Sequence, residues 1–480
     1  RYNAAIKQKS NWSSLYEEAL EYAAPHREVF NQEAPGQDKT GRGIVFDSTA
    51  SDALGKLVSN LQSSMVPPMK KFVRFTPGFE VSQEGKDETQ TQLDEIRERF
   101  FEILQNSNFD HQVTEAFTDL ALGTGSIMAQ KDPNRQGLVF TAVPISQLAI
   151  EEGAHHTIDT QYRTHKILPR NIEKTWPDAE LSESIKEAVG SDSNKKITLI
   201  EATMPAEIEV FDKRTEKRIK QQGFKYFVVS QKDQKVLVER QHRTSPWVVF
   251  RWSVLPGETY GRGPLLQALP DIKTLNKTKE LLLQSASIGI FGMYTATDDG
   301  VLNVNNIRFQ SGAIIPVESN GGARGESLKP LPTNTRVDLS QIIIDDMRTS
   351  INSMMFADPI GPVDAPVKTA TEISVRQAEL SKRIGSSFGR LQFEFIRPLV
   401  NRVLDLMDEM GIVDLGPFRV DGNVIDIQHV SPLAMAQDEE DLTNVIRYAE
   451  LMNNLFGPQV ALGLMKPDVI AKDVSEKLAI

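Results

Sequence analysis

The stretch from Ala365 to Val400, APVKTATEISVRQAELSKRIGSSFGRLQFEFIRPLV, sets the fold because it predicts one very long helix. Thr369 and Glu372 have the T-x-x-E spacing of a capping box, in which the threonine hydroxyl accepts from the N–H of Glu372 and the carboxylate reaches back. The helix is therefore predicted to begin at Ala370. Apolar side chains then recur every three or four residues on one face, and a helix that runs to Leu406 is about 50 Å long.

A bend is predicted near the far end of this helix. Pro398 has no N–H to donate to the carbonyl of Glu394, and Gly385 and Gly389 lie upstream. The helix is therefore expected to kink at one of these places. A long core helix of a large globular protein has the same pattern, so periodicity alone leaves the purpose of this helix open.

The composition indicates a globular chain with a large core. Of its 480 residues, 40% are hydrophobic and 25% are charged, which suits roughly two to four domains. The absence of cysteine excludes disulfides, thiolate zinc sites and cysteine nucleophiles. No apolar run reaches the roughly 18 residues of a membrane span. Helical and β-rich segments occupy separate parts of the chain, which predicts an α+β fold that is mainly α.

The charge balance limits what the surface can bind. The chain has 65 acidic and 54 basic residues, a net charge of −11. This argues against a surface built to grip nucleic acid, but it leaves open a passage through which nucleic acid slides. The chain opens with Arg1 and not with methionine, so we expect further residues before it.

The first 252 residues divide into two regions of different character. Residues 1–137 are predicted to be mainly helical, and residues 138–252 are rich in short β-branched and aromatic segments between polar turns. The helical segments are Asn11–Ala24, a segment from the capping tripeptide Phe46-Asp47-Ser48 to Met65, Leu93–Leu104 and His111–Leu122. The β-rich region is predicted to contain one helical insertion near Ser182–Val189.

Two helical rods are predicted in the next third of the chain. Pro264 stands at a favourable first helical position, and a helical face continues to Met293. The turn-rich segment Tyr294–Pro332 follows, and a second helix runs from Val337 to Met355, so the two rods are expected to lie antiparallel. The segment FADPIGPVDAPVK, Phe356–Lys368, has three prolines and one glycine, which prevent regular structure there.

Motifs for catalysis and for cofactor binding are absent. No phosphate-binding loop, dinucleotide fingerprint, zinc-protease motif or nucleophile elbow occurs, so no enzymatic activity and no cofactor are predicted. The adjacent pair His155-His156 is interpreted as a solvated loop because a metal would need more ligands from elsewhere. Asp345-Asp346 and the carboxylates within 438–441 are interpreted as solvated faces, although the first pair could hold a divalent ion in an oligomer.

Taken in their order along the chain, these features resemble one family, the head-to-tail connector, or portal, proteins of short-tailed bacteriophages. The resemblance covers residues 46–410, and three stretches carry it: FDSTASDALGKLVSNLQSSMVPP from Phe46, SPWVVFRWSVLPGETYGRGPLLQALPDIKTLNKTKELLL from Ser245, and TATEISVRQAELSKRIGSSFGRLQFEFIRPLV from Thr369. The second stretch is the most distinctive, with Arg251-Trp252, Tyr260-Gly261-Arg262-Gly263-Pro264 and Asn276 in the family's order.

This resemblance implies a ring, usually of about twelve copies, at one capsid vertex, through which DNA enters and leaves. Mapped onto this chain it implies a wing, a stem of paired helices, a small clip with β structure, a tunnel loop, a long kinked helix and a helical crown. Their ranges are 1–262 for the wing, 263–293 and 333–355 for the stem helices, 294–332 for the clip, 356–369 for the tunnel loop, 370–432 for the kinked helix with its following strands, and 433–480 for the crown.

The resemblance also implies partners and site residues. The partners are further copies of the chain, double-stranded DNA without sequence specificity, major capsid and scaffolding proteins, the terminase motor, and later tail adaptor and internal core proteins. The implied place is the virion, after assembly in the host cytoplasm. The tunnel-loop residues expected to face DNA are Asp358, Pro359, Ile360, Asp364 and Lys368; Arg308, Arg324 and Lys329 are expected to bind a protein at the clip; and Thr369, Glu372 and Pro398 are expected to shape the long helix.

Two other classes remain open from the residues alone. A monomeric scaffold or adaptor protein would have the same long helices but would not close into a ring. An enzyme of unrecognised mechanism would need a converging polar cluster, and the sequence indicates none.

Overall fold

The structure is a computed structural model, and it mixes helices with antiparallel sheets. It describes residues 1–25, 27, 45–77, 86–132, 137–191, 194–212, 217–291, 294–296, 326–330, 337–357, 385–413, 425–429 and 447. The statements below concern these residues.

The described helices belong either to the body, by which we mean the described residues outside 264–357, or to the pair of helices within 264–357. They are α1 (Tyr2–Ala23), α2 (Thr49–Met65), α3 (Lys86–Gln105), α4 (Phe109–Leu120), α5 (Pro169–Thr175), α6 (Glu183–Gly190), α7 (Pro264–Phe291), α8 (Val337–Met354), α9 (Ser386–Leu391) and α10 (Arg397–Glu409), with a π-helical turn at Gln392–Ile396.

The described strands form four antiparallel sheets. They are β1 (Val73–Pro77), β2 (Thr124–Lys131), β3 (Leu138–Ala142), β4 (Leu148–Glu152), β5 (Ile158–Ile167), β6 (Ile197–Asp212), β7 (Lys217–Ser230), β8 (Val236–His242), β9 (Trp247–Arg251), β10 (Tyr294–Ala296), β11 (Leu328–Pro330) and β12 (Ile425–His429). The sheet orders are β4-β5-β6-β7-β8, β3-β2-β9, β1-β12 and β10-β11.

The main core joins helices from distant parts of the chain to the three-stranded sheet. The rings of Phe117 on α4, Phe250 on β9 and Phe395 in the π-helical turn meet with centroid distances of 4.6 to 6.0 Å. Aromatic rings at these distances bury large apolar areas and favour edge-to-face geometry. The C-terminal part of the described chain is thereby packed onto the N-terminal helices. A second core lies under the five-stranded sheet, where α5 and α6 bury Trp176 and Ile185.

The boundary between the helical and the β-rich region was predicted wrongly. We expected strands only from residue 138, whereas β1 already lies at Val73–Pro77, and β2 begins at Thr124 and is central in its sheet. Residues 121–123 form a turn after α4, and the residues that follow enter the strand. Gly125 packs directly against the Phe250 ring, where a Cβ would lie 2.6 Å from a ring carbon, so a residue typical of turns stands inside this strand for packing reasons.

Two rods of the predicted length are present and run antiparallel. The predicted helices 264–293 and 337–355 are observed as α7 and α8. At one end of the pair, β10 and β11 pair antiparallel. Near the other end, the Ser350 hydroxyl on α8 donates to the carboxylate of Asp271 on α7 at 3.3 Å.

The long helix predicted from Ala370 was expected to kink at Gly385, Gly389 or Pro398, and the described part of it departs from helical geometry at Gly385. The backbone there has φ +45° and ψ −111°, which lies outside the helical region. A second irregularity is the π-helical turn, in which the N–H of Arg397 donates to the carbonyl of Gln392. This turn ends two residues before Pro398, which has no N–H to donate. The predicted start at Thr369 and Glu372 lies outside the described residues.

Candidate functional site: the root of the helix pair

Asn276 fastens α7 to the segment that begins α2. Its side-chain oxygen accepts the backbone N–H groups of Phe46 at 2.9 Å and of Asp47 at 3.2 Å, and its amide donates to the Ile272 carbonyl at 3.0 Å. Asn276 is buried, with 4% of its surface exposed. A buried side chain whose oxygen and amide are both bonded holds two elements in one fixed arrangement.

Asp47 carries the same connection to α8. Its carboxylate accepts from the Arg348 guanidinium at 2.7 Å and from the backbone N–H of Thr49 at 3.0 Å. Burial opposes ionisation of Asp47, but the hydrogen bonds from Thr49 and Arg348 outweigh it and hold the pKa of this carboxyl below its ordinary value. Asp47 therefore caps α2 and binds α8 at once, whereas the expected contribution of Ser48 to the cap is not made.

Three glycines allow the chain to cross itself where α7 begins. A Cβ on Gly261 would lie 2.1 Å from the carbonyl oxygen of Gly123, and a Cβ on Gly263 would lie 2.1 Å from the carbonyl oxygen of Ala121. Gly123 itself has φ +141°, a conformation that favours glycine. The motif Tyr260-Gly261-Arg262-Gly263-Pro264 is thus a close backbone junction between the body and the first rod.

The end of α8 is held against α2. The N–H of Ala357 donates to the Asn352 carbonyl at 2.8 Å, and Phe356 between them has φ +52°. This is the left-handed turn that commonly ends a helix, here with a residue other than glycine. The Asn60 amide on α2 donates to the Phe356 carbonyl at 2.9 Å, so the point at which the chain leaves α8 is fixed.

The contacts of Asn276, Asp47, Gly261, Gly263 and Asn60 described above form what we call the root of the helix pair. Beyond this root the pair extends away from the body. None of the described side chains of α7 after Asn276 is buried, although the helix continues to Phe291. Several large apolar side chains there are open to solvent: Leu281 is 53% exposed, Leu283 50% and Ile342 66%. Several exposed apolar residues of this size within one short stretch of a helix pair are typical of interaction surfaces.

The residues predicted to form functional sites are described only in part. Lys329 lies in β11, where its carbonyl accepts from the Thr295 hydroxyl at 3.2 Å, and Pro398 lies at the start of α10. The others lie outside the described residues: Asp358, Pro359, Ile360, Asp364, Lys368, Arg308, Arg324, Thr369 and Glu372. The predicted tunnel-loop, clip and capping sites therefore stay predictions.

The carboxylates and histidines considered as metal ligands do not converge in the described part of the chain. Asp345 accepts from Gln341 at 3.1 Å and lies 3.4 Å from Arg348, and the Nδ1 of His156 lies 3.0 Å from the Glu152 carboxylate. Among the described residues no group of three or more histidines and carboxylates is placed to hold a metal ion. Nor is any described helix both long and apolar enough to cross a membrane.

Sequence reasoning missed a buried ion pair at the base of the body. Arg251, which is 2% exposed, donates to Glu394 in the π-helical turn at 2.8 Å and to the Thr259 and His156 carbonyls at 3.2 and 3.0 Å. The signal was present, because Arg251 belongs to the distinctive stretch and Glu394 precedes Pro398 by one turn. Only the fold brings them together, since their positions in the chain differ by 143.

The fold and this root define a protein whose body holds a projecting pair of helices in a fixed orientation. A family profile described as "Bacteriophage head to tail connecting protein" matches residues 1–480. The chain belongs to the family of bacteriophage head-to-tail connecting proteins.

Two curated relatives align with most of the chain. The "Probable portal protein" of Bordetella phage BPP-1 is 22% identical over 494 residues, which cover 100% of this chain and 85% of the relative. The "Portal protein" of Salmonella phage epsilon15 is 21% identical over 456 residues, which cover 91% and 79%.

Two chains in solved structures also align with this one. One comes from "Neck of empty GTA particle computed with C6 symmetry", is 11% identical, covers 85% of this chain and 90% of its own, and has a TM-score of 0.35. The other comes from "Virion of native gene transfer agent (GTA) particle", is 11% identical, covers 94% and 99%, and has a TM-score of 0.38.

Proposed function

We propose that this chain is the portal protein of a bacteriophage, and that about twelve copies close into a ring at one capsid vertex. DNA passes through the ring during packaging and ejection, and the ring is the platform on which the packaging motor and then the tail assemble. Membership of the connecting-protein family supports this proposal, as do the printed names of the two curated relatives.

The main structural support for a ring is the exposed apolar surface of the helix pair. Leu281 and Leu283 are two residues apart on α7, so their side chains leave the helix about 200° apart, and Ile342 is exposed on α8. A single twofold contact covers one patch, whereas a ring gives every copy a neighbour on each side. Apolar residues on more than one face of the pair therefore favour a ring over a monomeric scaffold.

The regions of the proposed portal follow the order of the chain. Residues 1–262 form the wing, α7 and α8 the stem, residues 294–332 the clip, residues 356–369 the tunnel loop, and residues 433–480 the crown. The stem assignment rests on the antiparallel pair, and the clip assignment on the small β10-β11 sheet at its end. Asp358, Pro359, Ile360, Asp364 and Lys368 would face the DNA, and Arg308, Arg324 and Lys329 would meet a partner protein at the clip.

DNA is expected to pass this channel without recognition of its sequence. A net charge of −11 on each chain makes the ring as a whole repel phosphate, so contacts from loop residues would be local and reversible. Contacts to the backbone carry no base information. The capsid, scaffolding, terminase, adaptor and internal core proteins proposed as partners would then bind the outer surfaces of the ring.

Native mass spectrometry of the purified protein tests the proposed function. We expect a closed oligomer of about twelve chains that persists on dilution. Only monomers or dimers at all concentrations would contradict it.

The tunnel-loop assignment has its own test. Replacement of residues 358–366 by a short Gly-Ser linker is expected to leave rings intact but to impair packaging or retention of the genome, because the prolines that shape the segment are lost. Capsids that hold full-length genomes stably would contradict this assignment and leave the ring untouched.

A further inference from the structure

Two patches on the outer part of the helix pair have matching composition. The cationic patch consists of Lys279 and Leu283 on α7, and the anionic patch consists of Ile342 and Asp346 on α8. In each patch the two residues are four apart and so lie one above the other on the helix surface. Leu283 is 50% exposed and Ile342 66%. Within the described part of the chain, neither Lys279 nor Asp346 has an ion-pair partner.

The two patches lie on opposite flanks of the helix pair. Lys279 and Leu283 are three and seven residues beyond Asn276, so they continue the face of α7 that meets the body at the root. Ile342 and Asp346 are each two residues from Ile344, which is fully buried. Two residues turn a helix by about 200°, so both point away from the buried face of α8. One copy therefore cannot cover either patch with the other.

The two patches also have the same spacing and order along the axis of the helix pair. The contact between Asp271 and Ser350 sets the register of the antiparallel pair. Counted outward from this contact, Asp346 is about four residues out, Lys279 and Ile342 about eight, and Leu283 about twelve. The charged residue is thus the inner member of both patches. A single axial shift of about 6 Å places Lys279 beside Asp346 and Leu283 beside Ile342 at the same time.

We propose that the cationic patch of one copy binds the anionic patch of the next copy, so that α7 of each subunit packs on α8 of its neighbour. This inference rests on the proposed ring and names its contact surfaces. The contact is head-to-tail, since each copy presents the cationic patch on one flank and the anionic patch on the other. Apolar burial supplies the attraction, and the charges select the neighbour and the register.

Complementary charge reversal tests the proposal. Lys279→Asp places like charges across the contact, and so does Asp346→Lys. Each variant alone is therefore expected to need about tenfold more protein, or more, to assemble at low salt. In an equal mixture, every contact between unlike variants regains opposite charges. The mixture is expected to assemble like the wild type into rings with equal numbers of both variants, which native mass spectrometry resolves.

Lys277→Asp is the matched control. It makes the same change of charge on the same helix, but Lys277 is already paired with Glu280 at 2.9 Å within its own chain and lies outside both patches. It is expected to assemble like the wild type. Equal loss of assembly in Lys277→Asp and Lys279→Asp would show that net charge alone matters and would overturn the proposal.

Disulfide trapping gives an independent readout because the chain has no cysteine. Leu283→Cys combined with Ile342→Cys is expected to give a ladder of covalent multimers under oxidation. Leu281→Cys combined with Ile342→Cys is the control: Leu281 is as exposed as Leu283 but leaves α7 on the opposite side, so no multimers are expected.

The outcomes separate this inference from the proposed function. Wild-type protein that stays monomeric contradicts both. If wild-type rings form, any one of three results overturns the patch contact and leaves the proposed ring standing. These results are charge reversals without effect, a mixture that does not recover assembly, and no covalent ladder from the Leu283→Cys and Ile342→Cys pair.

Discussion

The side-chain oxygen of Asn276 lies 3.2 Å from the backbone nitrogen of Asp47, and it accepts that N–H together with the N–H of Phe46. The Asp47 carboxylate in turn binds Arg348 on the second rod. One short peptide thus orients both helices of the projecting pair. The proposed ring requires every copy to present its rods at the same angle, so a defect at this root is expected to impair assembly.

Asn276→Ala is expected to loosen this root. The substitution leaves two N–H groups without their acceptor, and a buried unsatisfied donor costs about 1–3 kcal/mol. We expect a loss of that size in the free energy of unfolding, measured by urea denaturation. Thr274→Ala is the control, since the exposed Thr274 hydroxyl bonds only the Pro270 carbonyl of its own helix; an equal loss in both variants would show that Asn276 has no special part.

Gly261→Ala is expected to prevent correct folding. The new Cβ would stand 2.1 Å from the Gly123 carbonyl oxygen, and backbone on both sides leaves no flexible group to yield. The cost is expected to be about 3 kcal/mol or more, measured by thermal or urea unfolding of any soluble protein obtained.

Gly55→Ala on α2 is the matched control for Gly261→Ala. No heavy atom lies within 4 Å of its added Cβ, so a stability gain of up to about 1 kcal/mol is expected because alanine favours helix. Normal stability of Gly261→Ala would contradict the close crossing.

Glu394→Ala is expected to be strongly destabilising. It leaves Arg251 buried without its main carboxylate partner, although Glu152 lies at 4.0 Å. Removal of one partner from a buried ion pair costs about 3–5 kcal/mol. Phe393→Ser, in the same π-helical turn but 58% exposed, is expected to change the unfolding free energy by less than about 0.5 kcal/mol. Comparable unfolding midpoints for the two variants would refute this role of Glu394.

Asp119 is expected to make stability depend on pH. Burial raises the pKa of its carboxyl to about 6, against the opposing effect of Arg27. A folded-state pKa above the unfolded value of 3.8 means that the folded protein binds the proton more tightly. The contribution of Asp119 to stability therefore grows as pH falls through 6 and levels off below about 4.

Asp119→Asn isolates this contribution from that of other titrating groups. Its amide oxygen can still accept the N–H of Ile145, which lies 2.9 Å from the carboxylate. As the pH is lowered from 7.5 to 5, we expect the wild type to gain stability relative to the variant. The urea midpoints of both proteins measure this gain. A constant difference across this range would contradict the raised pKa.

Local features of the sequence were enough to predict the rods. Helical periodicity together with Pro264 at a first helical position predicted a helix over 264–293, and the observed α7 ends at Phe291. The second rod was predicted over 337–355 and observed over Val337–Met354. Both depend on contacts within one or two turns, which the sequence order itself supplies.

Contacts between residues far apart in the chain could not be predicted from the sequence. The roles of Asn276, Gly261 and Glu394 depend on partners in other parts of the chain, and nothing in the local pattern of these residues names those partners. Tertiary packing also placed β2 in a stretch with two glycines and extended α1 back to Tyr2, since buried contacts outweigh local propensity. The tunnel-loop and capping residues stay predictions because they lie outside the described residues.

Class-averaged electron micrographs of the purified protein, viewed down the symmetry axis, are the most direct test of the proposed ring. We expect a closed ring of about twelve subunits around an open centre, with the helix pairs arranged around that centre. Compact particles without a central opening, or open filaments and small aggregates in place of rings, would contradict it.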